Sequence, residues 1–198
     1  FRKSVKASHF FGREEELYDL KEMFFNSGKY LISGIGGIGK TELAKQYAYR
    51  HRAQYDTVVF AVYEKNIESL VRDEIGINQI SREEDETERD YFKRKIEVLK
   101  QAATPKDLII IDNFDVDADE DLETLFACPC KFIITTRKDF RDYNYEQINV
   151  DRIKDIQEIL NLFYTYTSIP YTEKEVEAVR QLIEYVEHHT MTVELIAK

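Results

Sequence analysis

Apolar residues along this chain fall into two alternating kinds of run. Short unbroken runs, YLIS at 30–33, TVVFAVY at 57–63, DLIIID at 107–112, KFIITT at 131–136 and YEQINV at 145–150, predict strands. Between them lie stretches of helical period. One runs from residue 13 to about 26 with Leu17, Leu20, Phe24 and Phe25 on one face; the others are GKTELAKQYAYRH, IESLVRDEIGI and ERDYFKRKIEVLKQ. The strand runs are apolar throughout rather than alternating, which implies burial on both faces. The pattern therefore predicts an α/β fold with a parallel five-stranded sheet covered by helices. Beyond residue 151 only helical patterns remain, with Pro170 separating the first from the second. This predicts a sheet domain over 1–150 and the start of a small helical subdomain over 151–198.

Composition narrows the picture. A hydrophobic share of 43% is ordinary for a globular chain, and no apolar run is long enough to span a bilayer. The formal net charge of −10 argues against direct nucleic-acid binding. Cys128 and Cys130 form a lone C-x-C with no second pair, which reads as two reduced thiols and a cytoplasmic protein. The chain starts without Met and stops inside an apolar pattern, as expected of a piece of a longer protein.

The candidate chemistry begins where four glycines fall within six positions. Residues 34–41 read GIGGIGKT, a full match to G-x-x-x-x-G-K-[ST], with a strand before and a helix after. Glycines let successive N–H groups curl around an anion, and the helix N-terminus adds its dipole. The expected cradle is Gly34, Gly36, Gly37, Ile38, Gly39, Lys40, Thr41 and Glu42. Lys40 reaches the outer phosphates, and the Thr41 hydroxyl is a Mg²⁺ ligand. Asp112, ending LIIID, is the partner acid for that metal. The following position, where many P-loop ATPases carry a second acid that polarises water, holds Asn113, which cannot act as a base. Asp115 either substitutes for it or belongs to the acidic stretch DVDADEDLE, which reads as a solvated loop and helix start. Arg137, closing KFIITTR, either reads a γ-phosphate or pairs with those local acids.

These four elements in this order resemble the NB-ARC domain of the STAND class of P-loop, AAA-like ATPases. FFGREEELYDL is similar to that family's hydrophobic-hydrophobic-Gly-Arg-Glu motif, and the resemblance implies that Phe10, Phe11 and Arg13 lie beside adenine and ribose. KFIITTR resembles the sensor strand, whose arginine, here Arg137, reads the γ-phosphate. HHTMTVELIAK resembles the helix start carrying Gly-x-Pro, which puts His189 and Thr190 near adenine, with Thr190 where the family has proline. The resemblance further implies ATP/ADP and Mg²⁺ as cofactors and an ADP-bound resting state. Exchange for ATP then rearranges the domains and drives self-association, in a bacterial regulatory or antiviral defence protein. Asn113 favours slow hydrolysis over a rapid AAA-like motor. A GTPase is disfavoured because no Asn-Lys-x-Asp tetrad is present.

Overall fold

The computed structural model describes residues 9–23, 28–76, 80–140, 145–167 and 172–198. The apolar runs form five strands, β1 (Lys29–Ser33), β2 (Thr57–Val62), β3 (Asp107–Asp112), β4 (Lys131–Thr136) and β5 (Glu146–Asn149). All are parallel, in the order β2-β3-β4-β1-β5. The chain therefore crosses over between successive strands, and helices α1 (Glu14–Met23), α2 (Lys40–Arg50), α3 (Ile67–Asp73), α4 (Glu88–Ala102) and α5 (Leu122–Phe126) supply most of the cover.

Side chains of successive strand residues point to opposite faces, so each strand feeds two cores. Leu31, Ile109, Ile111, Phe132 and Ile134 pack under α3, α4 and α5. Tyr30, Ile32, Leu108, Ile110 and Ile133 pack under α1 and α2 with Leu20, Leu43 and Tyr47. Two-sided burial is why the strands read as continuous apolar runs. A third core, built from Ile153, Ile159, Leu160, Leu162, Ile183 and Val193, belongs to α6 (Ile156–Tyr166), α7 (Glu173–Tyr185) and α8 (Thr190–Ala197) with the segment leading into them.

The register places the strands' carboxyl ends together. Ser33 of β1 pairs with Thr136 of β4 on one side and Asn149 of β5 on the other. Helix starts are set by local chemistry: the side chains of Asn66, Thr87 and Asp155 accept N–H bonds at the heads of α3, α4 and α6, and Thr172 with Glu175 forms a capping box on α7. The head of α2 has no side-chain cap; Gly39, in left-handed conformation, stands there instead.

Some boundaries differ from the periodicity. The first helix begins at Glu14 rather than residue 13, because Arg13 has φ of 66° and lies outside the helical region. Phe24, Phe25, Asn26 and Pro170 lie outside the described residues. Helix α3 stops at Asp73, where the N–H groups of Glu74 and Ile75 both close on the Leu70 carbonyl. The single-turn α5 opens at Leu122, at the end of the acidic stretch DVDADEDLE, in keeping with its reading as a solvated loop and helix start.

Candidate nucleotide-binding site

Loop 34–39 leaves the end of β1 and runs directly into α2. Gly34 has φ of 147°, and a Cβ there would lie 2.4 Å from the Val150 carbonyl oxygen. Gly37 has φ of 71°, and a Cβ would meet the Met191 Cβ at 2.8 Å. Neither position accepts a side chain without moving backbone or a neighbouring helix. The head of α2 has no side-chain cap, so its first N–H groups remain available to an anion.

Lys40 opens α2 and is 9% exposed, with its Nζ donating to the carbonyls of Gly34 and Ile35 at 2.8 Å each. Burial pulls its pKa below the ordinary lysine value, opposed by the charges of Asp115 and Asp112 and reinforced by Arg137. At the next residue, the Thr41 hydroxyl donates to Asp112 Oδ1 at 2.7 Å. The Thr135 hydroxyl, from β4, donates to the same oxygen at 2.6 Å and accepts the Asn113 N–H at 3.0 Å. Asn113 has φ of 68°, a left-handed conformation that asparagine tolerates better than most residues. Asp115 uses both carboxylate oxygens on Arg137, one accepting its backbone N–H and the other its Nε, each at 2.6 Å.

The lead-in segment braces the loop from outside. The Arg13 side chain, 4% exposed, donates to the Ile38 carbonyl at 2.8 Å and to Glu16 at 2.8 Å. Its pKa is drawn down by burial, with Glu16 opposing. Phe10 packs against the core under α1 and α2, whereas Phe11 packs against the helical core, so the Phe-Phe pair straddles the two. The Gly12 N–H donates to Glu158 of α6 at 3.1 Å.

Helix α8 presents its N-terminus to the same loop. His189 Nε2 lies 2.9 Å from the Gly36 carbonyl oxygen, while its Nδ1 accepts the Thr192 N–H and caps the helix. The Thr190 hydroxyl and the Met191 N–H both donate to the Gly37 carbonyl, at 2.7 Å and 3.1 Å. Between these walls lies a cavity of about 680 Å³, within the range for small-molecule sites. Phe10, Phe11, Arg13, Gly36, Gly37, Ile38, Gly39, Lys40, Thr41, Glu42, Asp115, Arg137 and Thr190 all line it. Gly34, Asp112 and His189 stand behind the lining and bond to it.

A family model described as the NB-ARC domain matches residues 14–166. The chain belongs to the NB-ARC domain family. That match stops short of Phe10, Phe11 and Arg13 on one side and of His189 and Thr190 on the other, so their part in this NB-ARC domain rests on the contacts just described.

Solved structures show the same fold. One is a Signal Transduction ATPase with Numerous Domains (STAND) from Pyrococcus horikoshii with a tetratricopeptide repeat sensor, at TM-score 0.60 and 24% identity; the match covers 97% of this chain and 30% of that one. The chain thus spans under a third of that protein's length. A Walker-type ATPase of Pyrococcus abyssi matches over 100% of this chain and 69% of its own, at TM-score 0.62 and 15% identity. Cdc6p of Pyrobaculum aerophilum matches over 83% of this chain and 52% of its own, at TM-score 0.51 and 13% identity. No curated protein sequence matches. The NB-ARC chain has the α/β fold of a P-loop NTPase.

Several residues of this NB-ARC site carry no motif. Thr135 was visible only as one of two threonines ending a strand, and Glu158, Met191, Tyr166 and Glu194 gave no signal, since each meets the site through tertiary packing. Glu42 lines the cavity; its Oε1 pairs with Lys45 at 3.0 Å and its Oε2 is buried with no hydrogen-bond partner.

Proposed function

We propose that this domain is an adenine-nucleotide switch with slow Mg²⁺-dependent ATP hydrolysis. Its sheet domain ends near residue 150, and the following helices serve as the moving part. The observation that carries the reading is the shared wall of the cavity: the phosphate loop's own carbonyls, at Gly36 and Gly37, are held by the head of α8. A ligand that orders this loop must therefore be felt by the helices.

The residues fit such a ligand. The α2 N-terminus and Lys40 receive phosphates, Lys40 exchanging its two loop carbonyls for phosphate oxygens. Thr41 and Asp112, already bonded to each other, would hold Mg²⁺, which when bound neutralises charge on the outer phosphates. Among the described residues no group of three or more His, Cys, Asp or Glu side chains is placed to hold a metal alone, which suits an ion shared with phosphate. Phe10 and Phe11 line the cavity and would offer apolar surface to a base, while Thr190 lines it from α8 with His189 bonded behind it to the Gly36 carbonyl. Asn113 leaves the water-activating position without a base, so an ADP-bound resting state, with ATP driving rearrangement and self-association of a longer cytoplasmic protein, follows better than motor action. A role in bacterial regulation or antiviral defence is consistent with this.

Titration with ADP and ATP in the presence of Mg²⁺ tests the proposal. Binding of both and a raised melting temperature are expected, with Lys40→Ala abolishing the shift, and turnover on the order of 10⁻² s⁻¹ or slower, as in switch-type NTPases. Fast turnover would favour the motor instead.

A further inference from the structure

Asp115 lines the cavity, and the preceding reading gives it no part. It follows β3 on a turn pinned to β4 by two bonds to Thr135: the Asn113 N–H to the hydroxyl at 3.0 Å and the Phe114 N–H to the carbonyl at 2.9 Å. The Asp115 N–H itself closes on the Asn113 carbonyl at 2.9 Å. The carboxylate is thus delivered by the backbone to a fixed spot, and its side chain is 15% exposed while that of Arg137 is 60% exposed. Each of its oxygens takes one N–H of Arg137. Among the described residues, Asp115 is the only acid that Arg137 pairs with. The arginine side chain also lies over the loop, its Cδ 3.7 Å from where a Gly36 Cβ would be.

The same carboxylate is the strongest charge favouring the ammonium of Lys40. An anion thus stands among two cations, Lys40 and Arg137, that a third phosphate would also seek. The two anions repel each other and compete for one guanidinium. An ion pair with so exposed an arginine is weak, so it yields to a phosphate but taxes it.

We propose that Asp115 is an internal counter-anion for Arg137 that stands in for the third phosphate and so sets the preference of this site for the diphosphate over the triphosphate. This rests on the nucleotide-site reading above. Asp115 is here a positioning residue acting through Arg137, not the general base of hydrolysis.

The test is the ratio of affinities for a non-hydrolysable ATP analogue and for ADP, each with Mg²⁺, measured on the whole chain and on Asp115→Asn. The asparagine oxygen still accepts the Arg137 N–H, so the strand end is kept while the charge is removed. Removing one charge at this range raises the triphosphate-over-diphosphate ratio about tenfold. Adding Arg137→Gln to Asp115→Asn cancels that gain, and Arg137→Gln alone lowers the ratio. An unchanged or lowered ratio in Asp115→Asn overturns the proposal, and so does a ratio held constant while hydrolysis collapses, which marks a general base. Equal loss of both nucleotides marks a structural role and also overturns it; should Asp115→Asn not fold, an Arg137→Gln ratio equal to wild type does the same. Wild-type protein that binds neither nucleotide removes the nucleotide reading itself, a separate failure.

Discussion

Cys128 and Cys130 are free and buried beneath the first core, and burial pushes their thiols up to about 11 and about 12. Tyr63 goes the same way, to about 12, through burial and its bond to Asp119, and Tyr47 and Tyr55 are also raised, burial leading in both. Each of these groups is neutral when protonated, so the fold favours the proton more than the unfolded chain does. Their stabilisation is complete below the unfolded pKa, 9.0 for the thiols, and is lost as pH rises toward 12. The urea midpoint should accordingly fall steadily from about pH 9 upward; a level midpoint between pH 8 and 10.5 would contradict the burial argument. At pH 8 iodoacetamide should label neither thiol in the native chain, though both react once it is unfolded. At this scale the sequence announced Lys40, Thr41 and Asp112, because a motif ties residue type to spacing. It could not announce Thr135 or Glu158, whose partners are 23 and 146 positions away and are chosen by the register of β4 and the packing of α6.

Among the elements, the loop between β1 and α2 is the one whose glycines are separable by physics. Alanine at 34 meets both a φ of 147° and a backbone oxygen at 2.4 Å, so β5's exit must shift. At 37 the φ of 71° is costly, about 1–2 kcal/mol for a left-handed residue, and Met191 of α8 stands at 2.8 Å. At 36 a methyl meets only Arg137 Cδ at 3.7 Å, an ordinary contact. Melting temperatures should fall in the order Gly34→Ala, Gly37→Ala, Gly36→Ala, with the last within about 1 kcal/mol of wild type; equal losses at all three would refute this ordering. The sequence pattern marked the strands well, since two-sided burial writes itself as unbroken apolar runs. It marked poorly what depends on backbone conformation alone. Arg13 at φ 66° delays α1, and Glu187 and His188 at φ 53° and 59° make the turn that sets α8 against the loop.

Among the described residues, contacts that join the helical core to the sheet domain include Phe11, the His9–Tyr166 ring pair, the Gly12–Glu158 bond, and the head of α8 on the Gly36 and Gly37 carbonyls. A switch needs such a joint to be tight in one state and breakable in another, which a handful of hydrogen bonds worth about 1 kcal/mol each permits. His189 has two duties here, capping α8 through Nδ1 and bonding the loop through Nε2, and they can be separated. Asparagine at 189 still caps the helix but is too short to reach the Gly36 carbonyl. Loss of that one bond should leave the global melting temperature within about 2 °C of wild type, because the helix and both sheet cores stay intact. It should nonetheless raise amide exchange across residues 190–197 about fivefold, the opening equivalent of one such bond. ADP with Mg²⁺ should restore part of the protection if the ligand bridges loop and helices. Wild-type exchange rates in His189→Asn would mean that the imidazole does not tie the helices to the loop, and the joint would then rest on Thr190, Met191, the Gly12–Glu158 bond and the Phe11 contact.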